Sequence, residues 1–288
     1  MPSLWDKVTL GRTGLSVSRL GIGTSAGLSA ADVEGAVDRG VNYLYWGSVR
    51  RSAFGEAIRH VARKRRDELC VVVQTYTRAA WLMRHSLESA LRKLGIGHAD
   101  LLLLGWWNRP PPARILDAAL ALRDAGKARH VMISCHHRPT FAHYIDDASY
   151  GAIMVRYNAA HPGAEGEVFP HLDGRDRAAR PGVVAYTATR WGALLDPALT
   201  PPGEPTPRAS DCYRFALTNP AVDVTLRGPA DAAQLAEAMA ALDAGPLDPD
   251  RLAWMKRVGV GVRAVSARKG GNPPIQLLDR LVGGGDRR

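Results

Sequence analysis

The chain has 288 residues, of which 46% are hydrophobic and 23% are charged, and its formal net charge at pH 7 is +10. These proportions exclude a largely disordered chain. No run approaches the ~20 apolar residues of a membrane helix, the first residues lack the features of a signal peptide, and three cysteines make a poor disulfide framework. We therefore expect a cytoplasmic protein without membrane partners.

The positive charge raises the question of nucleic acid. Its densest cluster, Arg59–Arg66, falls late in a predicted helix, where cations suit the helix dipole and a solvated face. No nucleic-acid-binding motif accompanies this cluster, so nucleic acid is not an expected partner.

The predicted elements begin with a hairpin, in which Lys7–Leu10 and Leu15–Ser18 flank Gly11-Arg12-Thr13-Gly14. Apolar strand runs then alternate with amphipathic helical patterns. The predicted strands are Arg19–Thr24, Val41–Trp46, Cys70–Thr77, Asp100–Trp107, His130–His137, Ala152–Asn158, Val183–Thr189 and Val222–Gly228. The predicted helices are Ala31–Asp38, Arg51–Arg65, Ala80–Leu94, Pro112–Ala125, Phe141–Ala148, Ala209–Leu217 and Asp231–Leu242, followed by an extra helix over Pro249–Ala267.

Eight strands in strict alternation with helices predict an α/β fold, a closed (β/α)8 TIM barrel with an N-terminal β-hairpin and an extra C-terminal helix. No Gly-x-Gly-x-x-Gly motif follows the first strand, which argues against a Rossmann domain. We predict one domain over residues 1–282 and a disordered tail over 283–288.

Several segments resemble the aldo/keto reductase superfamily. LGRTGLSVSRLGIGT (Leu10–Thr24) is similar to its opening, and SLESALRKLGIGHADLLLL (Ser86–Leu104) to its third helix and fourth strand. NPAVDVTLRGPADAAQLAEAM (Asn219–Met239) is similar to its last strand and cofactor-gripping helix. The resemblance implies hydride transfer from a nicotinamide cofactor to a carbonyl, with a tyrosine proton donor assisted by lysine, aspartate and histidine.

This chain departs from the family at those four positions. Tyr45 stands at the aspartate position, Tyr76 at that of the lysine and Gly105 at that of the histidine, while the tyrosine position falls near Arg50 or Arg51. The resemblance therefore implies a divergent member that lacks the catalytic tetrad.

The cofactor positions are partly retained. Ser134 matches the first residue of the family's amide-holding pair, whereas Cys135 and Met154 replace its asparagine and glutamine. The cation position for a 2′-phosphate falls at Ala230, near Arg227. The remaining cofactor matches are Thr187, Gln234 and Glu237. At most weak NADP binding is expected.

Aromatic residues gather at the predicted strand ends, where a barrel enzyme has its active site. Those assigned to ligand binding are Trp46, Trp106, Trp107 and Trp191, joined by Tyr45, Tyr76 and the cations Arg50 and Arg156. One interpretation is a pocket for a planar or anionic small molecule, with the aromatics of the second, third and fourth strands converging on one quadrant. The other is a collapsed pocket filled by aromatics.

Cys135-His136-His137 forms a further cluster, with Cys135 and His137 expected on the same side of a strand. A metal would need a third ligand such as His161, and no spaced metal signature is present, so no metal site is predicted. Cys135 is a candidate nucleophile beside an imidazole.

Three functions remain open at this point. The first is a barrel that has lost the family's carbonyl reduction and binds a small molecule or performs altered chemistry. The second is an NADP-dependent oxidoreductase with Tyr45 or Tyr76 as proton donor, assisted by Arg50. The third is a non-catalytic scaffold. The candidate catalytic residues are Tyr45, Arg50, Tyr76, Cys135 and His137.

Overall fold

The computed structural model describes residues 3–23, 27–47 and 52–268. Within them, eight parallel strands form a closed barrel in which the last strand pairs with the first. In chain order the barrel strands are β3 (Leu20–Ile22), β4 (Tyr43–Trp46), β5 (Cys70–Thr75), β6 (Ala99–Leu104), β7 (Ala128–Ser134), β8 (Tyr150–Arg156), β9 (Gly182–Tyr186) and β10 (Val224–Arg227). They follow an antiparallel hairpin of β1 (Val8–Thr9) and β2 (Ser16–Val17).

Helices surround the barrel. They are α1 (Ala30–Asp38), α2 (Ser52–Arg65), α3 (Ala80–Leu94), α4 (Ala113–Asp124), α5 (Phe141–Asp146), α6 (Ala164–Glu167), α7 (Ala209–Thr218), α8 (Ala232–Ala244) and α9 (Pro249–Arg268). Local sequence sets several of their ends: the Ser29 hydroxyl caps α1, Asp231 caps α8, and Gly95 ends α3 in a left-handed conformation.

Strand alternation divides the apolar residues into two cores. The outer core lies between strands and helices. The inner core fills the barrel and includes Tyr43, Val72, Leu103, Met132, Met154 and Val184. The barrel is therefore packed through its lower part, which leaves its upper end available for a site.

The hairpin closes the end of the barrel at which the strands begin. Leu10, Leu15 and Val17 belong to the inner core, so the hairpin places apolar side chains beneath the barrel. Gly11 has φ +48° and lies so close to Pro181 and Gly182 that a Cβ would collide with their backbone. The hairpin thus seals the end opposite the strand C-termini.

Two buried carboxylates lie at this sealed end. Asp223 precedes β10 and is bound by Arg180 and Arg177, while Asp100 near the start of β6 is bound by Arg66 at 2.9 Å. Both also accept backbone N–H groups. Because their partners satisfy them far from the strand C-termini, these carboxylates are not candidate catalytic groups.

The predicted (β/α)8 barrel, hairpin and C-terminal helix are confirmed. The predicted strand ends were too long: β5 stops at Thr75, β6 at Leu104 and β7 at Ser134. Between β8 and β9, only the four-residue α6 and short 3-10 turns are present. The predicted tail over 283–288 lies outside the described residues.

No helix within residues 3–23, 27–47 and 52–268 combines the length and apolar character needed to cross a bilayer.

Candidate functional site

The mouth is the upper layer of the barrel interior together with the loops above it. Side chains two residues further along each strand than those of the inner core also point into the barrel. They form the upper layer, which consists of Tyr45, Gln74, Ser134, Arg156 and Tyr186. These side chains come from β4, β5, β7, β8 and β9. The two sides of the mouth differ, because one is filled by side chains and the other contains a pocket.

On the filled side, Tyr45 and Tyr76 surround Gln74. The Tyr45 hydroxyl donates a hydrogen bond to Oε1 of Gln74. A Cβ on Gly105 would collide with the Gln74 amide and the Tyr76 ring, so these side chains occupy the space beside Gly105. Burial raises the pKa of Tyr45 far above its usual range, which leaves its hydroxyl neutral. Tyr76 is 57% exposed and forms the edge of this cluster.

The end of β6 turns across the mouth at Trp106. This residue has φ 61°, and its backbone N–H donates to Oγ of Ser134 at 2.8 Å. The Trp107 N–H donates to the Ser134 carbonyl at 2.8 Å, and the Trp106 ring lies 4.8 Å from the His136 ring. The Ser134 hydroxyl, a predicted cofactor ligand, is therefore bonded to Trp106.

Cys135 and His137 do not form a catalytic pair. The Cys135 thiol is 1% exposed, faces the outer core and contacts the His137 carbonyl at 3.1 Å rather than its ring. Burial raises the pKa of this thiol to about 12. The His137 ring is exposed and contacts Oγ1 of Thr140 at 2.9 Å. The expectation that both side chains share one side of a strand was wrong, because β7 ends at Ser134.

The expected convergence of five aromatics on one quadrant was also wrong. Trp46 follows the outward alternation of β4; it is 2% exposed and packs against Gly55 of α2 in the outer core. Trp107 packs against the same outer core, with the Arg78 guanidinium 3.9 Å from its ring centroid. Of the five, Tyr45, Tyr76 and Trp106 remain at the mouth.

On the other side, the mouth contains a pocket of about 340 Å³. We call it the mouth pocket. Its lining comes from the ends of β3, β4, β9 and β10 and from α7: Gly23, Tyr45, Tyr186, Thr187, Ala188, Thr189, Trp191, Tyr213, Leu226, Arg227 and Gly228. Its volume is in the range of pockets for small molecules.

A strained turn shapes one wall of the mouth pocket. Thr187, Arg190 and Trp191 have φ of 60°, 52° and 53°, which favours glycine, and Gly192 follows with φ 89°. Hydrogen bonds such as Arg190 N–H to the Thr187 carbonyl at 2.8 Å hold the turn. This conformation leaves Trp191, 53% exposed, beside the pocket.

Arg227 supplies the positive charge of the mouth pocket. It is 9% exposed, its guanidinium lies 5.7 Å from the Tyr213 ring, and its Nε has no hydrogen-bond partner among the described residues. Its Nη2 donates to Oε1 of Gln234, which also accepts the Ala230 N–H at 3.0 Å. Gln234 therefore orients the guanidinium from the first turn of α8.

Glu237, the other predicted cofactor residue on α8, lies outside the pocket lining. Its Oε1 accepts the Ala209 backbone N–H at 3.0 Å, so it ties α8 to the start of α7. Arg156 lies in the upper layer as the register partner of Tyr186 and is not part of the pocket lining either. Arg50 lies outside the described residues.

Sequence reasoning missed Tyr186 and Tyr213. Tyr186 ends β9 as Tyr45 lies near the end of β4, so the same signal was available for it. Tyr213 lies on α7, and its arrival at the mouth depends on helix packing that no local pattern reveals. No group of three or more potential metal ligands occurs in the described parts of the chain.

A larger groove of about 490 Å³ lies outside the barrel and is lined in part by Tyr157, Phe169 and Phe215. Its central polar groups satisfy one another: Tyr157 donates to Glu165 at 2.6 Å, and Lys256 pairs with Glu165 at 3.3 Å. The mouth pocket is the stronger candidate because it contains a buried, incompletely bonded cation.

No family model matches the sequence. Among solved structures, the holo form of the aldo-keto reductase AKR11C1 from Bacillus halodurans superposes with a TM-score of 0.74 at 18% identity, covering 88% of this chain and 96% of that one. An aldo/keto reductase from Klebsiella pneumoniae in complex with NADP and acetate gives 0.71 at 20% identity, covering 88% and 96%. A putative 2,5-diketo-D-gluconic acid reductase B gives 0.70 at 24% identity, covering 88% and 91%. The chain therefore has the fold of the aldo/keto reductases.

Proposed function

We propose that this chain is a divergent aldo/keto reductase that binds a small, planar, negatively charged molecule in the mouth pocket and does not reduce carbonyls by the family's route. Shared fold and the sequence segments similar to the family support membership. A cytoplasmic location agrees with its three buried, unbridged cysteines.

Arg227 is the observation on which the binding proposal rests. Arg227 lines the pocket and forms no ion pair with a carboxylate of the described residues, so an anionic oxygen in the pocket would balance its charge. The Tyr186, Trp191 and Tyr213 rings offer faces against which a flat ligand stacks. Charge and aromatic lining together select a planar anion.

The residues fit only part of NADP. Arg227 and Gln234 suit a phosphate-bearing end, in the pocket formed by β9 and β10. The nicotinamide end lacks holders, because the Ser134 hydroxyl is bonded to Trp106, Cys135 faces the outer core and Met154 is packed inside the barrel. No route for hydride transfer follows from these residues.

An NADP-dependent oxidoreductase with Tyr45 or Tyr76 as proton donor is the alternative, and the NADP-bound reductase of the same fold favours it. Against it stands the environment of Tyr45. Proton donation is efficient when the pKa of the donor lies near the working pH, and burial moves the pKa of Tyr45 the other way. The neighbouring phenols of Tyr76 and Tyr186 raise the pKa of Tyr45 further.

Calorimetric titration tests the binding proposal, with adenosine 2′,5′-bisphosphate, naphthoate and NADPH as probes. We expect the small planar anions to bind and Arg227→Ala to weaken their binding about tenfold to a hundredfold, the value of a charged hydrogen bond. Arg92→Ala, at the exposed C-terminal end of α3, is the matched control and should not change it. Affinity that is the same in both variants would refute the proposal, and NADPH binding with turnover would favour the oxidoreductase.

A further inference from the structure

A group of basic side chains lies next to the mouth pocket, beyond Tyr186. The alternation that sends Met154 into the inner core also directs Arg156 inward, one layer higher. Arg156 is half-buried and is the register partner of Tyr186. It therefore brings a positive charge into the barrel mouth on the β8 side.

The loop after β8 adds His161 to this group. The Asn158 side chain donates to the Thr187 carbonyl at 2.8 Å, and its Oδ1 accepts the His161 backbone N–H at 2.9 Å. The same Thr187 carbonyl accepts the Arg190 N–H at 2.8 Å. Asn158 thus fixes the His161 loop against the turn that carries Arg190.

Helix α9 completes the group. Nη1 of Arg190 donates to the Val262 carbonyl at 3.1 Å, and the next residue of the helix is the exposed Arg263. Burial, followed by the charges of Arg156, Arg190, Arg263 and Arg138, lowers the pKa of His161 to about 3. All the charged neighbours that act on His161 are therefore cations.

These charges are not neutralised equally. Arg138 forms an ion pair with Glu167 at 2.7 Å, so its charge is compensated. Arg156 and Arg263 have no carboxylate partner among residues 3–23, 27–47 and 52–268. Like charges brought together in this way repel one another unless an anion lies between them.

We propose that Arg156, Arg190 and Arg263, grouped around His161, form a receptor for the phosphate group of a small molecule. Guanidinium groups make bidentate bonds to phosphate oxygens. The single N–H of the neutral His161 ring is directed to Oδ1 of Asn158, 3.4 Å from Nδ1, so the arginines make the contacts to phosphate. Three positive charges match a dianion better than a single carboxylate. None of the four residues lines the mouth pocket, so this receptor goes beyond the function proposed above and does not depend on it.

Inorganic phosphate at constant ionic strength is the probe, with chloride as the reference anion and both thermal unfolding and calorimetry as readouts. We expect phosphate, and not chloride, to raise the melting temperature. Arg156→Gln should weaken phosphate binding at least tenfold and Arg263→Gln several-fold, while neither lowers the melting temperature without phosphate, because each removes repulsion. Arg92→Gln, at the opposite end of the barrel, is the matched control and should bind phosphate as the wild type does.

Two further measurements distinguish this receptor from the mouth pocket and from a nucleic-acid site. Arg227→Ala should retain the phosphate-dependent rise in melting temperature that Arg156→Gln removes; loss of that rise in Arg227→Ala but not in Arg156→Gln or Arg263→Gln would overturn the assignment. Equal stabilisation by chloride and phosphate would overturn it too. If a single-stranded oligonucleotide bound more tightly than phosphate at equal phosphate concentration, the ligand of this site would be nucleic acid and not a small molecule. Arg263 is exposed, so its variant keeps the test decisive if Arg156→Gln does not fold.

Discussion

Burial decides what individual side chains at the mouth can do. Cys135 has the sequence context of a nucleophile, yet with a pKa of about 12 only about one thiol in ten thousand is ionised at pH 8. His161 has the opposite response to the same cause: burial and neighbouring arginines keep its ring neutral down to about pH 3. A cysteine and a histidine are residue types that often react or titrate near neutral pH. In this protein, the surroundings of Cys135 and His161 keep both side chains uncharged there.

His161 makes stability depend on pH. Its pKa is about 3 in the folded protein and near 6.5 in the unfolded chain, so only the unfolded chain takes up this proton between those values. Stability is therefore unaffected by His161 above about pH 6.5 and falls as pH decreases toward 3. We expect the melting temperature of His161→Gln to fall less steeply over this range than that of the wild type.

The exposed His85 on α3 provides the control, since His85→Gln should retain the wild-type pH dependence. A wild-type slope that His161→Gln leaves unchanged would contradict the prediction.

At the scale of elements, the turn over residues 187–192 has a strained backbone and also forms part of the lining of the mouth pocket. Trp191 has φ 53° and is half-exposed, so replacement by glycine removes the left-handed strain and little buried area. We expect Trp191→Gly to leave the free energy of unfolding unchanged or to raise it by up to about 1 kcal/mol, and to weaken planar ligands in the mouth pocket. Chemical denaturation and calorimetry measure the two effects, and a clear loss of stability would argue against strain in this turn.

Trp46 and Tyr45 are neighbours in β4, but their side chains point to opposite faces, so Trp46 contributes to stability and not to the mouth pocket. Because it is 2% exposed in the outer core, Trp46→Ala should lower the free energy of unfolding by about 3–5 kcal/mol. Ligand affinity of the folded fraction should not change. Trp81→Ala on α3, where the side chain is 79% exposed, should cost little by the same denaturation assay. Weaker ligand binding in folded Trp46→Ala would show that the two cores are coupled.

For the whole molecule, the filled side of the mouth predicts negligible NADPH-dependent reduction of ordinary aldehydes. The resemblance to the family aligns Tyr45, Tyr76 and Gly105 with its aspartate, lysine and histidine, and positioned proton transfer by such groups contributes about 10²–10⁴-fold to these reactions. Loss of NADPH absorbance on adding aldehydes tests this. Robust turnover that Tyr45→Phe or Tyr76→Phe abolishes would contradict it.

The sequence predicted the barrel well because strands buried on both faces appear as apolar runs of the right length. It overestimated β6 for the same reason: Trp106 and Trp107 continue the apolar run, but the φ of Trp106 takes its N–H from the ladder to the Ser134 hydroxyl. The site was harder to predict. Whether Trp46 points inward depends on strand register, and the approach of Tyr213 to Arg227 depends on how α7 packs, and neither is a local property of the chain.

The hairpin beneath the barrel has a kinetic consequence. With Leu10, Leu15 and Val17 sealing one end, any molecule that reaches the mouth must arrive and depart through the same opening. The mouth pocket and the group of arginines beside it share that opening, separated by Tyr186 and the turn over 187–192. A molecule bound in the mouth pocket and one bound at the arginines would therefore block each other's path. The one that binds second would have to leave before the first could dissociate.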